Sequence, residues 1–359
     1  MLLTRFEIHN FRCIEFAALD LVPRCNLVSG ANASGKTSLL EAIFVLGRGR
    51  SFRTPRTDLL IRRGAGELLL TGRVEADASG ASRAVGIRYG RDGFEARAGG
   101  SPIRSLAELA TVFPVQAIDP EVHRLIEEGP QERRRFLDWG VFHVKPGFVE
   151  QWRRYQRVLK QRNAALRAQA DAAVVRAWDN ELTDSGEVLA RSRRDYLETL
   201  RPAVQAMGER LLGEPVTLGL SDGWGQDMTL AEAVEHNWGR DRERGTTHAG
   251  PHRADLSIRV GSELARHRVS RGQQKLTAAA MLLGQLRCDD TMGSPTAALI
   301  VDDPAAELDS AHLRGLLDVV LELPGQLFLS SLEPSLDAFQ RLPEARRFHV
   351  EHGKITRLV

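Results

Sequence analysis

The chain has 359 residues, 42% hydrophobic and 27% charged, a length that suggests two domains or lobes of a globular protein. No apolar run approaches the ~20 residues that span a bilayer, and MLLTRFEIHNFR is too short in its apolar core and charged too early for a signal peptide. The formal charge of +2 sets up no global basic field, and the three cysteines (Cys13, Cys25 and Cys288) follow no metal-ligand spacing, so a reduced, cytoplasmic protein without membrane contact or structural zinc is expected.

In chain order, LLTRFEIH, CIEFAALDL and CNLVSG read as strands within residues 2–29. LVSGANASGKTSLLEAIFVLG reads as strand, glycine-rich turn and helix, with Leu39, Leu40, Ile43, Phe44 and Leu46 forming one apolar face and Gly47 ending it. Residues 67–99 predict an antiparallel meander. From about 119 to 212 helical spacing dominates, without the sustained heptads of a long coiled coil. Strand signals resume at ADLSIRV and RHRVS. They are followed by a helix over 272–287, the strand AALIV, a helix over 310–322, the strand QLFLSS and a terminal hairpin in RFHVEHGKITRLV. This order predicts an α/β fold: one α/β lobe built from 1–115 and 246–359, interrupted by a helical lobe over 116–245.

GANASGKT, Gly30 to Thr37, matches G-x-x-x-x-G-K-[ST] between an apolar strand and a helix. Its glycines permit a tight loop whose N–H groups face phosphate. Lys36 is placed for the β- and γ-phosphates of ATP, and the Thr37 hydroxyl for Mg²⁺. ALIVDDPAAELD, 298–309, ends an apolar strand in Asp302 and Asp303. Asp302 is placed to hold the magnesium shell, and Asp303 to orient or deprotonate an attacking water. Alone, this pair also reads as a strand end before an ordinary Asp-Pro turn. Ser270, Gly272 and Gln273 of VSRGQQKLTAAAMLL open a helix as a second phosphate-binding turn. One nucleotide already has a cradle, so the second is expected to come from another copy of the chain. Two subunits packed head to tail would sandwich two nucleotides in a closed, self-complementary dimer.

At these residues the chain resembles an ATP-binding-cassette ATPase: phosphate loop, signature turn SRGQQ, the Asp302–Asp303 strand and the loop AAELD ending at Asp309. Lys36 and Ser270 lie 234 positions apart, much further than in transporter ATPases. A helical insertion there is similar to the chromosome-maintenance and break-repair ATPases without their long coiled coils. More narrowly, NFR (10–12), GANASGKTSLLEAI, GRSFRT (49–54), GPQERRRFLD (129–138), GPHRADL (250–256), SRGQQK and VDDPAAELD resemble the RecF family in family order from residue 10 to 309. The resemblance implies an ATP-dependent DNA-binding dimer of recombinational gap repair and the response to DNA damage. It implies action at single-strand/double-strand junctions, with RecR and RecO, to help load RecA recombinase onto strands coated by single-strand-binding protein. It also implies slow, DNA-stimulated ATP hydrolysis that drives dissociation, and association with the nucleoid.

By the same resemblance the nucleotide contacts are Gly30, Ala31, Asn32, Ala33, Ser34, Gly35, Lys36, Thr37, Ser38, Arg12, Gly272, Gln273 and Asp309. Lys36, Asp302, Asp303 and Ser270 are implied for catalysis, and Thr37, Asp302 and a loop residue, Gln116, for Mg²⁺. Ser330 or Ser331 occupies the position of the transporters' histidine. Ala33 replaces a frequent glycine, which φ < 0 would allow. Asp303 is shorter than the usual Glu, which points to slow hydrolysis. A transporter ATPase subunit and a P-loop phosphotransferase are the competing readings. The first is disfavoured by motif spacing, and the second would need an acceptor site and no signature turn.

Only five of the 49 basic residues are lysines, a bias that a GC-rich genome explains and that a phosphate-binding surface would also use. Arginines gather at 48, 50, 53 and 56, and at 133–135. Arg153, Arg154, Arg157, Lys160 and Arg162 share one helix with Trp152 and Tyr155, a candidate DNA contact or simply a solvated face over a core stripe. THAGPHR reads as a structural or nucleotide-proximal turn rather than a metal site.

Overall fold

The computed structural model describes residues 1–76, 81–306, 308–332, 339, 342 and 345–358, less the side chain of Arg268. The chain forms two compact units, Met1–Val122 with Pro295–Val359, and His123–Ser294.

The first unit begins with β1 (Leu2–Phe11), β2 (Ile14–Asp20), β3 (Cys25–Ser29) and α1 (Lys36–Arg48). Then come β4 (Leu68–Glu75), β5 (Ser82–Gly90), β6 (Gly93–Ala98), β7 (Ser101–Pro102), α2 (Leu106–Val112) and β8 (Val115–Ile118). The second unit contains α3 (Arg124–Glu127), α4 (Pro130–Val144), α5 (Phe148–Arg167), α6 (Ala172–Arg176), α7 (Asp179–Leu212) and β9 (Val216–Ser221). It continues with α8 (Leu230–His236), α9 (Trp238–Arg244), β10 (Asp255–Val260), β11 (Glu263–Leu264), α10 (Ala265–Arg268) and α11 (Arg271–Thr291). The chain returns to the first unit with β12 (Ala298–Val301), α12 (Ser310–Glu322), β13 (Leu327–Ser331), β14 (Arg346–Glu351) and β15 (Lys354–Leu358).

Two sheets make the first unit. One is antiparallel, in the order β2-β1-β4-β5-β6-β7, and contains the expected meander. The other runs β15-β14-β3-β13-β12-β8, parallel from β14 to β8, with the terminal hairpin supplying the antiparallel edge strand β15. The apolar face of α1 joins both sheets in one core, with Leu40, Val45 and Leu46 fully buried alongside Phe6, Leu70 and Phe328. Strands β3, β12 and β13 are buried at every position, as expected of inner parallel strands covered on both faces.

In the second unit α11 packs along α7, and β10 pairs antiparallel with β9. Tyr196 Oη donates to Asp289 Oδ1 at 2.7 Å, and Gln285 Nε2 to the Phe136 carbonyl at 3.0 Å, fixing α11 to α7 and α4. Burial pushes the Asp289 carboxyl up to about 7. These pairings move 246–294 into the helical unit, so the expected boundary after 245 lies about fifty residues too early. Local patterning marked where strands resume but not which elements they join. RHRVS, expected as a strand, is the short helix α10 and the approach to α11. Its carbonyls at Ala265 and Arg266 accept from Gln274 Nε2 at 3.3 and 3.4 Å rather than from a neighbouring strand.

Arg162 is wholly buried at the centre of a second cluster in this unit. It donates to Asp179 (2.7 Å), Asp241 (2.7 Å) and Thr247 Oγ1 (2.9 Å). Asp241 also meets His248 Nδ1 at 2.8 Å, and His252 lies between Tyr155 Oη (2.6 Å) and the Thr247 carbonyl (3.0 Å). Burial lowers the His252 pKa to about 4. Both rings of THAGPHR therefore act as hydrogen-bonded members of a structural turn.

Candidate nucleotide site

Strand β3 delivers the chain to Gly30 at the C-terminal edge of the parallel sheet, the side where ligands bind in open α/β folds. Gly30 has φ +151°, and a Cβ there would fall 2.3 Å from the Val350 carbonyl oxygen. Gly35 caps α1 at φ +118°. Only glycine satisfies both demands without strain. The Gly353 N–H donates to the Ser34 carbonyl at 2.8 Å, so the turn of the terminal hairpin braces the loop from outside.

Ala31, Asn32 and Ala33 are exposed, whereas Ser34, Gly35, Lys36 and Ser38 are buried. The Lys36 ammonium donates to the Gly30 carbonyl at 2.7 Å and the Ala31 carbonyl at 3.0 Å. Ser34 Oγ is buried with no hydrogen-bond partner among the described residues. Ala33 sits at φ +60°, which overturns the expectation of a negative φ. The alanine holds a left-handed conformation that glycine adopts freely, at a cost of roughly 1 kcal/mol.

The Asp302 N–H donates to the Ile118 carbonyl at 2.9 Å, continuing the β12–β8 ladder into the carboxylate pair. Asp302 is 3% exposed, and its Oδ1 accepts from Ser330 Oγ at 2.6 Å. The Thr37 hydroxyl lies near enough to this carboxylate to lower its pKa, which brings together two motifs 265 positions apart in sequence. Burial, with a smaller push from the Asp303 charge, raises the Asp302 pKa; the Ser330 and Thr37 hydroxyls and the Arg53 charge oppose that rise. Ser330 Oγ also accepts from the Asp303 N–H at 2.8 Å. Of the two serines expected here, Ser330 therefore touches the carboxylate pair, while Ser331 is a buried residue in register with Ser29. Asp303 has φ +47°, and its buried Oδ1 lacks a hydrogen-bond partner among the described residues.

A hydroxyl beside a buried carboxylate, with a second carboxylate oxygen unpartnered, is a hard-oxygen donor set that suits Mg²⁺, whose other positions come from phosphate and water. No group of three or more His, Cys, Asp or Glu side chains that would bind a metal unaided occurs among the described residues. Gln116, expected in a metal-sensing loop, lies inside strand β8 opposite Leu299. That register leaves it about 10 Å along the sheet from Asp302, outside the cluster. Asp309 caps α12, accepting from the Ala311 and His312 N–H groups at 2.9 Å each and from His312 Nδ1 at 2.6 Å. Its carboxylate is engaged locally, and Glu307 in the same loop lies outside the described residues.

One important residue escaped the motif reading. Glu41, on α1, is fully buried and accepts from Arg12 Nε (2.9 Å), Arg12 Nη2 (2.7 Å), Ser51 Oγ and Arg53 Nη1 (3.5 Å). It thereby fixes Arg12 and Arg53 to the helix that begins at the phosphate loop. An acid within the apolar run LLEAIFVL was its signal. Glu41→Gln removes the charge that both guanidinium groups face. Because the arginines remain partly solvated, the expected loss is about 3 kcal/mol, near the lower end for breaking a buried ion pair. Urea unfolding measures it, and a loss below about 1 kcal/mol would show that solvent already screens the pair.

In the second unit, Ser270 caps α11 in a reciprocal box. Its Oγ accepts from the Gln273 N–H at 3.3 Å, and Gln273 Oε1 accepts from the Ser270 N–H at 2.9 Å. Ser270, Arg271, Gly272 and Gln273 are all exposed, and a Cβ at Gly272 would meet nothing within 4 Å. The turn is thus an ordered, open helix N-terminus with the polarity that favours an anion.

The candidate DNA-contacting residues divide. Arg162 and Tyr155 are buried and leave that set, Arg162 because Asp179 and Asp241 neutralise it and Tyr155 because its hydroxyl is bonded to His252. Arg154 pairs with Glu181. Arg133 is 5% exposed at its side chain and pairs with Asp255 at 2.7 Å, while Arg134 donates to the Ala254 carbonyl at 2.6 Å, so both brace their own unit. Arg153, Arg157 and Lys160 are exposed.

The RecF/RecN/SMC N terminal domain family matches residues 2–344 of the chain. The DNA replication and repair protein RecF of Thioalkalivibrio sulfidiphilus is 39% identical over 360 residues, with 99% of each chain covered. That of Pseudomonas fluorescens is 40% identical over 361 residues, covering 99% of this chain and 98% of the relative. Among solved structures, the recombination mediator protein RecF-ATP in the RecFOR pathway has a TM-score of 0.87 at 24% identity, covering 100% of this chain and 98% of that one. An Smc head bound to the C-terminal winged-helix domain of ScpA has a TM-score of 0.61 at 16% identity, covering 100% and 98%. These structural likenesses concern the fold, a mixed α/β one with no long coiled coil among the described residues.

Proposed function

This chain belongs to the RecF family of DNA replication and repair proteins, and we propose that it is an ATP-dependent DNA-binding protein of recombinational gap repair that dimerises around bound nucleotide. The observation carrying this reading is that parallel pairing of β3, β13 and β12 sets the Gly30–Thr37 loop beside the Ser330-bonded Asp302 and the unpartnered Asp303 Oδ1. It is a phosphate loop and a carboxylate pair assembled in one unit.

In this reading the Lys36 ammonium exchanges the carbonyls of Gly30 and Ala31 for the β- and γ-phosphates, gaining charge-assisted bonds. Thr37 and Asp302 hold Mg²⁺, which when bound neutralises developing phosphate charge. Ser330 keeps the Asp302 carboxylate oriented. Asp303 orients or deprotonates the attacking water, and as the shorter acid it does so slowly. The exposed Ser270–Gln273 turn of a partner copy closes over the γ-phosphate. Hydrolysis then opens the dimer and releases DNA. The RecFOR pathway named for the solved RecF structures supports RecR and RecO as partners, with RecA loading onto strands coated by single-strand-binding protein as the outcome. DNA-stimulated turnover, action at single-strand/double-strand junctions and a nucleoid location belong to the same proposal. No helix among the described residues is long and apolar enough to cross a membrane.

Sedimentation velocity with and without ATP and duplex DNA tests this. The expected result is a monomer without nucleotide, a dimer with ATP, and a DNA-bound dimer with both. The Asp303→Asn variant should hold the ATP dimer longer than the parent. A monomer in saturating ATP, with or without DNA, overturns the reading.

A further inference from the structure

Helix α5 carries six basic side chains over Phe148–Arg167 and a single acid, Glu150 in its first turn. Two of the six are neutralised from neighbouring elements: Arg154 by Glu181 of α7, and Arg162 by Asp179 of α7 and Asp241 of α9. The other four, Arg153, Arg157, Lys160 and Arg167, are exposed and have no ion-pair partner among the described residues. At 3.6 residues per turn these four lie within ~80° of one another around the helix and extend ~21 Å along it. Their opposite face is the buried one, Tyr155, Val158, Leu159, Arg162 and Leu166. Surface helices commonly answer each cation with an acid three or four residues away; on α5 only Glu150, three residues before Arg153, stands at that spacing from any of the four.

We propose that the stripe Arg153–Arg157–Lys160–Arg167 lies against the sugar-phosphate backbone of DNA and supplies sequence-independent phosphate contacts. The proposal rests on the DNA-binding reading above and names a surface for it. A row of cations with polar or small residues between them (Gln156, Gln161 and Ala164) suits phosphates, which require charge at intervals and no apolar anchor. An acidic protein partner would need a buried aromatic or aliphatic centre. The exposed large apolar side chain on this helix is Trp152, 39% exposed. With Arg154 and Arg162 neutralised, the remaining cations form a one-sided row, which a phosphate backbone can follow.

The test is the salt dependence of duplex-DNA affinity, measured by fluorescence anisotropy of the full chain in ATP at several salt concentrations. The test variant combines Arg153→Gln, Arg157→Gln and Lys160→Gln. Glutamine preserves helix propensity, and circular dichroism checks the fold. A control combines Arg154→Gln, Arg176→Gln and Arg194→Gln, cations that already have acidic partners. Each lost phosphate contact should reduce the slope of log affinity against log salt by about 0.9, so the test variant should be shallower by about 2.7. Its affinity near 0.1 M salt should fall on the order of 100-fold, while ATP binding without DNA stays unchanged. The control should keep most of the parental slope. Arg167→Gln alone should remove about one further contact in slope, and it keeps the test independent of the triple variant's folding.

A parental slope in the folded triple variant overturns the stripe while leaving the DNA-binding reading intact. Parental protein that binds no DNA in ATP overturns both. A triple variant that keeps DNA binding but no longer binds RecR or RecO assigns the stripe to a protein and also overturns the proposal.

Discussion

Lys36→Met will lose ATP binding by roughly 100-fold or more while the chain stays folded. Lys36 is 5% exposed and its ammonium rests on two backbone carbonyls of its own loop, so its charge is held where phosphate oxygens would arrive. Methionine keeps much of the length and packing but donates nothing. A charge-assisted bond is worth about 1.5–3 kcal/mol, and two facing phosphate oxygens make a loss near 3 kcal/mol reasonable. Such a loss is a factor of about 100 in affinity. Nucleotide titration reads it directly. Sedimentation should show no ATP-driven dimer, and DNA binding should cease to depend on ATP. ATP-dependent DNA binding at the parental level would refute the role given to Lys36.

The second large effect is expected from Ser270→Arg, and it appears only between subunits. The variant keeps its own phosphate loop, so it should bind ATP. It should not dimerise, because a bulky cation stands where the partner's γ-phosphate would approach the α11 N-terminus. Loss of the Ser270 cap costs about 1 kcal/mol locally. Ser270→Asp therefore serves as a control: it preserves a cap but repels an anion, and it should fail to dimerise as well. Mixing Ser270→Arg with Lys36→Met then creates one composite site with both elements damaged and one with both intact. ATP turnover in the mixture should exceed the sum of the two separate variants. If Ser270→Arg alone dimerises and hydrolyses ATP at the parental rate, the turn does not face a partner's nucleotide.

Much of this protein was legible because its chemistry is written locally. The left-handed turn at Gly35, the box that Ser270 and Gln273 close over three residues, and the β14–β15 hairpin each depend on neighbours a few positions away. Backbone sterics and short-range hydrogen bonding therefore specify them in any context. Other features needed partners from distant parts of the chain. Asp302 became a site residue when β3, β13 and β12 aligned and brought Thr37 and Ser330 to one carboxylate. Glu41 became the anchor for Arg12 and Arg53 only when two loops folded over α1. On α5, six cations look alike in sequence. Whether one is a buried structural link, as Arg162 is, or an exposed charge, as Arg157 is, depends on whether a carboxylate from α7 or α9 meets it. The placement of 246–294 with the helices likewise follows from β10 pairing with β9 and α11 packing on α7. Residue type and spacing determined which groups were available for phosphate, metal and charge. Tertiary structure decided which of them meet, because burial and ion pairing depend on what arrives from elsewhere in the chain.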